Sequence, residues 1–166
     1  MKTLFLVRHA KSEWGNENLA DIDRPLNARG YRDAHFMSGQ LKKNKLIPEQ
    51  IISSPAIRAT STALIFACNL DYDCETIQLK QRLYETTEKE YLKIISETEN
   101  SKRSLMLFAH NPTLTLLANS LTKPFTENIP TCGIVGIQFK IKDWKEIMSA
   151  QGELFLYDFP KKQESN

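Results

Sequence analysis

The chain has 166 residues, 41% of them hydrophobic and 25% charged, with a formal net charge of +2 at pH 7. That length suffices for one domain with a full core, and that charge is too small to argue for nucleic acid or a membrane surface as partner. No apolar stretch approaches the roughly 20 residues that span a bilayer, and Met1-Lys2-Thr3 leads straight into a strand-like run without a signal-peptide pattern, so the expected location is the cytoplasm.

Leu4-Phe5-Leu6-Val7 is a short, wholly apolar run that reads as a buried strand, with Arg8-His9 directly after it. Residues 10–27 form a long polar loop, and Asn27 is the expected N-cap of a helix over 28–43 in which Tyr31, Ala34 and Leu41 recur at helical spacing. A second strand is expected at 50–53, with Ser54 as N-cap and Pro55 as first residue of a helix to 69. A third strand is expected near 74–79, and Thr87-x-x-Glu90 has the pattern of a capping box opening a helix to 98. Ser104-Leu105-Met106-Leu107-Phe108-Ala109 reads as a fourth strand ending at His110, and Asn111-Pro112 repeats the cap-plus-proline start for a helix to 121. Residues 134–141 and 153–158 close the pattern as a hairpin or edge pair. Alternating strands and helices of this kind predict an α/β domain with a mostly parallel sheet. The expected organisation is one domain over 1–160 and a flexible tail over 161–166.

Two arginines and two histidines therefore fall just past predicted strands: Arg8, His9, Arg58 and His110. In open α/β sheets ligands bind at the carboxyl ends of the strands. A phosphoryl group in transfer spreads negative charge over its equatorial oxygens, so positioned cations do most of the catalytic work. Arg8 and Arg58 offer planar bidentate donors, and Arg58 lies in the first turn of a predicted helix, where the dipole and free N–H groups favour an anion. His110 is placed to donate to a third oxygen. His9 is the candidate nucleophile: a neutral imidazole nitrogen attacks phosphorus in line and forms a phosphohistidine that water then hydrolyses. Its other nitrogen needs an acceptor to set the tautomer. Singly, each of these residues also has a plain structural reading, as a helix cap or a solvated side chain; their joint placement is what points to a site.

Other signals lead elsewhere. The third histidine, His35, sits inside a predicted helix and reads as structural. Cys68, Cys74 and Cys132 are an odd set without CxxC spacing and read as small core or loop residues in a reducing compartment. Asp21-Ile22-Asp23 echoes the DxD of aspartyl phosphatases but does not follow a strand. There is no P-loop, Cys-x5-Arg loop or HExxH. The lysines at 42, 43 and 45, and those at 161 and 162, read as solvated surface.

Val7-Arg8-His9-Ala10, Ser53-Ser54-Pro55-Ala56-Ile57-Arg58-Ala59 and Ala109-His110-Asn111-Pro112 together resemble the histidine phosphatase superfamily, once called phosphoglycerate mutase-like. Lys11-Ser12-Glu13-Trp14-Gly15 and Asp23-Arg24-Pro25-Leu26-Asn27-Ala28-Arg29-Gly30 are similar to its short SixA-type branch of phosphohistidine phosphatases, and the likeness runs in order over roughly residues 3–120. The resemblance implies a three-layer α/β/α sandwich, a phosphorylated His9, a pocket of Arg8, Arg58 and His110, and neither a metal nor another cofactor. It further implies a phosphorylated protein such as a histidine phosphotransfer domain as partner, or else a small phosphomonoester. Many larger members carry an Asn six residues beyond the nucleophile; here Gly15 stands there and Asn16 follows, a weak candidate for substrate binding. The chain lacks the long insertions with which mutases enclose their substrate, which favours an open site.

Members acting on alkyl phosphates use a carboxylic acid to protonate the leaving oxygen. Glu85 lies in the matching region and is the candidate acid; a solvated loop residue and a favourable charge near a helix start remain the alternatives. The distinction decides the substrate, because an alkoxide needs a proton from a positioned acid. Imidazole, with a pKa of about 6.5, departs without that help. The expected function is a phosphatase acting through His9 on protein phosphohistidine. A small-molecule phosphomonoesterase of the same mechanism and a non-catalytic phosphate-binding module are the rivals.

Overall fold

The computed structural model describes residues 1–161. Its strands are β1 (Lys2–Arg8), β2 (Gln50–Ser53), β3 (Gln78–Leu79), β4 (Ser104–Ala109), β5 (Ile134–Phe139) and β6 (Glu153–Asp158). Its helices are α1 (Ala28–Lys43), α2 (Ile57–Asn69), α3 (Glu88–Ser96) and α4 (Thr113–Leu121). The six strands form one sheet in the order β3-β2-β4-β1-β5-β6. The four strands β3, β2, β4 and β1 run parallel, while β5 and β6 form the antiparallel edge pair that the sequence predicts.

The alternation along β1 shows how the layers form. Leu4 and Leu6 point to one face, where α3 supplies Tyr91, Ile94 and Ile95 and α4 supplies Leu114, Leu117 and Leu121. Phe5 and Val7 point to the other, where they meet Ala34, Met37 and Leu41 of α1 and Ala63, Phe66 and Ala67 of α2. A strand buried on both faces must be apolar throughout, and each large apolar side chain removed from water there contributes about 1.5–3 kcal/mol. The result is a three-layer α/β/α sandwich with a mostly parallel central sheet.

Local signals place most boundaries. The Asn27 side chain caps α1 by accepting from the Gly30 N–H at 2.9 Å, and Thr87 caps α3 by accepting from Glu90 at 3.4 Å. Two expectations are corrected, and one element is new. The segment at 74–76 is a 3-10 turn capped by Asp73, so β3 keeps only two residues, both exposed. The α2 helix starts at Ile57 and not at Pro55, with Ala56 at its N-cap, while the Ser54 hydroxyl accepts from the Ala56 N–H at 3.3 Å and also meets His110 (below). Between β5 and β6 the chain makes a further 3-10 turn, Trp144–Met148, whose Trp144 is fully buried. His35 is exposed and its Nδ1 meets Asn69 at 3.2 Å, tying α1 to α2. The cysteines at 68 and 74, six residues apart in sequence, bring their sulfurs within 3.4 Å, while Cys132 is buried. Of the expected tail over 161–166, all but Lys161 lies outside the described residues.

Candidate active site

The register of three parallel strands assembles the site. Arg8 pairs with Ala109 and Val7 with Phe108 across β1 and β4, while Ser53 pairs with Phe108 across β2 and β4. All three strands therefore end level, and the residues that follow them, His9, Ser54 and His110, emerge side by side. Backbone bonds hold them there: Ser54 N–H donates to the Phe108 carbonyl at 3.0 Å and His9 N–H to the Ala109 carbonyl at 3.2 Å. The two imidazole rings stand 5.2 Å apart between centroids.

His9 is buried, and its Nδ1 lies 2.8 Å from the Ala10 carbonyl. A carbonyl only accepts, so Nδ1 carries the proton and Nε2 keeps its lone pair. That backbone contact is the tautomer-setting group which sequence alone leaves open. The Ala10 peptide is itself anchored, its N–H donating to Thr62 Oγ1 at 3.0 Å, while the Thr62 hydroxyl donates to the Arg58 carbonyl at 2.7 Å. Burial, followed by the neighbouring His110 and then Arg58 and Arg8, lowers the His9 pKa to about 3 against the opposing pull of the Ala10 bond. The ring is neutral throughout the physiological range.

His110 is likewise pushed down to about 4, chiefly by burial and next by Arg58. Its Nε2 lies 2.7 Å from Ser54 Oγ, and its buried Nδ1 has no hydrogen-bond partner among the described residues. When the Ser54 hydroxyl donates to Nε2, Nδ1 carries the ring proton and is open to an acceptor oxygen. Asn111, which follows, anchors this turn by donating from Nδ2 to the Ile129 carbonyl at 3.0 Å.

Arg8 donates from Nη1 to the same Ile129 carbonyl at 2.8 Å, and its Nε is buried without a partner among the described residues. Arg58, in the first turn of α2, donates from Nη1 to the Asp21 carbonyl at 2.7 Å and from Nη2 to the Asp21 carboxylate at 3.0 Å. Its Nε is also buried and unpartnered among the described residues. Both guanidiniums are thus oriented by fixed acceptors while retaining donor capacity, the arrangement that costs no reorganisation when an anion arrives.

Asp21 is the hub that the sequence pattern does not reveal. Besides Arg58 it accepts from Arg24 Nε at 3.0 Å and from the Tyr84 hydroxyl at 2.6 Å. The Tyr84 bond, with help from Arg24 and Arg58, holds the Asp21 pKa down to about 2. Tyr84 in turn sets its ring edge against His110 at 5.7 Å. Arg24 also donates to Ser12 Oγ at 2.6 Å and lies 3.7 Å over the exposed Trp14 ring. The long loop at 10–27 is therefore pinned to α2 by charge. No periodicity signals this, because the contacts join residues 37 and 63 positions apart.

A cavity of about 220 Å³ opens among these groups, with Arg8, His9, Arg58 and His110 in its wall together with Lys11 and Arg24. The four residues picked from strand ends are brought together. Glu85 is not in that wall: it is exposed, with a left-handed backbone (φ 50°), next to Tyr84. Asn16 is exposed too, and its Oδ1 accepts from the Asn18 N–H at 3.1 Å within its own loop. Ser54, Asp21, Tyr84, Arg24 and Thr62 are the site's supporting groups that sequence reasoning passes over. The sequence offers Ser54 only as a helix cap and within one motif of the resemblance, Arg24 within another, and Asp21 as an isolated DxD echo.

The profile of the histidine phosphatase superfamily (branch 1) matches residues 4–93. Among curated proteins, the uncharacterised protein ML1117 of Mycobacterium leprae (strain TN) is 26% identical over 167 aligned positions, which cover 93% of this chain and all of the relative. Among solved structures, the protein histidine phosphatase SixA complexed with tungstate superposes with a TM-score of 0.78 at 20% identity, covering 97% of this chain and 99% of the other. A mycobacterial glucosyl-3-phosphoglycerate phosphatase superposes at 0.73 and 15% identity, over 96% and 99% of the two chains. The structural similarities establish a shared fold.

Proposed function

The chain belongs to the histidine phosphatase superfamily, and from that membership we propose that it is a phosphatase working through His9, with protein phosphohistidine as its substrate. His9 Nε2 attacks phosphorus in line and the substrate imidazole departs. Arg8, Arg58 and His110 Nδ1 take the equatorial oxygens. Water then attacks phospho-His9, releasing phosphate and restoring the neutral ring. The observation that carries this reading is the His9 Nδ1 contact with the Ala10 carbonyl at 2.8 Å, which leaves Nε2 unprotonated and beside two arginines.

The substrate class rests on the leaving group. Among the described residues no carboxylate lines the cavity, and Glu85 stands outside it. A site with this wall suits a bond whose leaving group needs little acid help. A histidine phosphotransfer domain is a partner of that chemistry. The test compares kcat/KM without added metal for a phosphohistidine protein, an aryl phosphate and a sugar phosphate, in wild type, His9→Ala and Glu85→Gln. The reading expects preference for phosphohistidine, loss of more than a hundredfold in His9→Ala, and less than twofold change in Glu85→Gln. Equal or better turnover of the sugar phosphate, with selective loss of it in Glu85→Gln, favours the small-molecule phosphomonoesterase. Phosphate binding with no turnover of any substrate favours the binding module.

A further inference from the structure

Two further cavities continue from the catalytic one along α1. The middle one, about 370 Å³, shares Arg8, Lys11 and Thr131 with the catalytic cavity and adds Arg29 and Lys161. The distal one, about 490 Å³, shares Arg29, Pro160 and Lys161 with the middle cavity and adds Arg32, Asp33 and Phe36. The path thus carries cations from Arg24 at one end to Arg32 at the other. Among the described residues the one carboxylate in the walls of the two added cavities, Asp33, is largely buried and engaged by Arg29 at 3.4 Å. On a chain of net charge +2 this is a local concentration.

The path is built on one helix face. Arg29, Arg32, Asp33 and Phe36 stand at i, i+3, i+4 and i+7 of α1, while Gly30, Ala34, Met37 and Leu41 are buried behind them. From Arg29 to Phe36 that stripe runs about 10 Å. Its near end is rigid: a Cβ at Gly30 would overlap the Lys11 carbonyl, so the loop bearing Lys11 lies directly on the first turn of α1. Phe36 is 43% exposed and gives the far end an apolar contact.

We propose that this track is the docking surface for an acidic face of the phosphorylated protein, which lies along α1 while its phosphohistidine enters the catalytic cavity. The inference rests on the function proposed above and adds the partner's charge and orientation. Among the described residues the catalytic and distal cavities share no lining residue, so a phosphomonoester confined to the first touches neither Arg32 nor Phe36. Only a ligand that extends well beyond its phosphoryl group reaches the distal charges. Docking of this kind raises association rate and specificity and weakens with salt, because exposed charges are screened over about 10 Å at 0.1 M.

The experiment uses two substrates with the same P–N bond: a histidine-phosphorylated phosphotransfer domain with an acidic surface, and a short uncharged phosphohistidine peptide. Wild type, Arg32→Glu and Arg32→Lys are compared at low and high salt. The proposal expects Arg32→Glu to lower kcat/KM for the domain about tenfold, through KM, with less than twofold change on the peptide. Arg32→Lys should retain wild-type values, and added salt should erase the wild type's preference for the domain. Equal loss on both substrates, or no loss on either, overturns the docking surface. So does a larger loss on a sugar bisphosphate than on the domain, which would assign the track to a small polyanion. Failure of the wild type to hydrolyse either P–N substrate overturns the proposed function itself, and that outcome is read in the wild type alone.

Discussion

Acidification from pH 7 to pH 5 should destabilise this fold through two particular rings. His9 and His110 are held neutral by burial and by neighbouring arginines, with pKa values lowered to about 3 and about 4. An unfolded imidazole titrates at about 6.5, so between that value and the folded ones the unfolded chain binds more protons, and stability falls as pH falls. At pH 5 this amounts to about 2 kcal/mol for each ring, and to roughly 2–4 kcal/mol for the pair once mutual coupling is allowed for. Asp21 works in a separate window. Its pKa of about 2 contributes stability that persists above the unfolded carboxylate value and is lost only below about pH 4. Urea unfolding at pH 7 and pH 5 reads the difference directly. Replacing either ring, as His9→Asn or His110→Asn, should remove about half of the wild-type drop, whatever it does to stability at pH 7. If both single variants keep the full drop, the buried neutral histidines are not its source and the reasoning is wrong.

Three further outcomes follow from single contacts. Ser54→Ala leaves the buried His110 Nε2 without its partner at 2.7 Å; it should cost about 1–3 kcal/mol of stability and lower kcat about tenfold, with Ser54→Thr restoring most of the rate. Asp21→Asn removes the charge that orients Arg58, Arg24 and Tyr84. It should raise KM for an aryl phosphate and bring the Tyr84 phenol, raised to about 12 by burial and then by Asp21, back towards its ordinary value in an ultraviolet titration. An unchanged phenol titration would contradict the hub assignment. Gly30→Ala drives a methyl into the Lys11 carbonyl; it should destabilise by about 1–3 kcal/mol and slow turnover of every substrate by displacing the loop, a joint effect that a neutral variant would disprove.

The elements legible in the sequence are those set by neighbouring residues. The apolar runs at 50–53 and 104–109, and the helix at 28–43 behind its Asn27 cap, appear in the structure where periodicity and capping put them. These signals act over a turn or a pleat, so the chain alone carries them. The same logic picked out Arg8, His9, Arg58 and His110, because strand ends are local features and their chemistry is written in residue type. Tertiary structure decided the rest. Pairing of β2, β4 and β1 in one register levels three strand ends and turns four scattered residues into one cavity wall. The fold brings the Ser54 hydroxyl to His110, and carries Asp21 across the loop to Arg58 and Tyr84. The His9 tautomer depends on the Ala10 carbonyl, and Thr62 of α2 holds the N–H of that same residue. These are contacts between groups far apart in sequence, and their energy is realised only after the sheet and its two helical layers have closed.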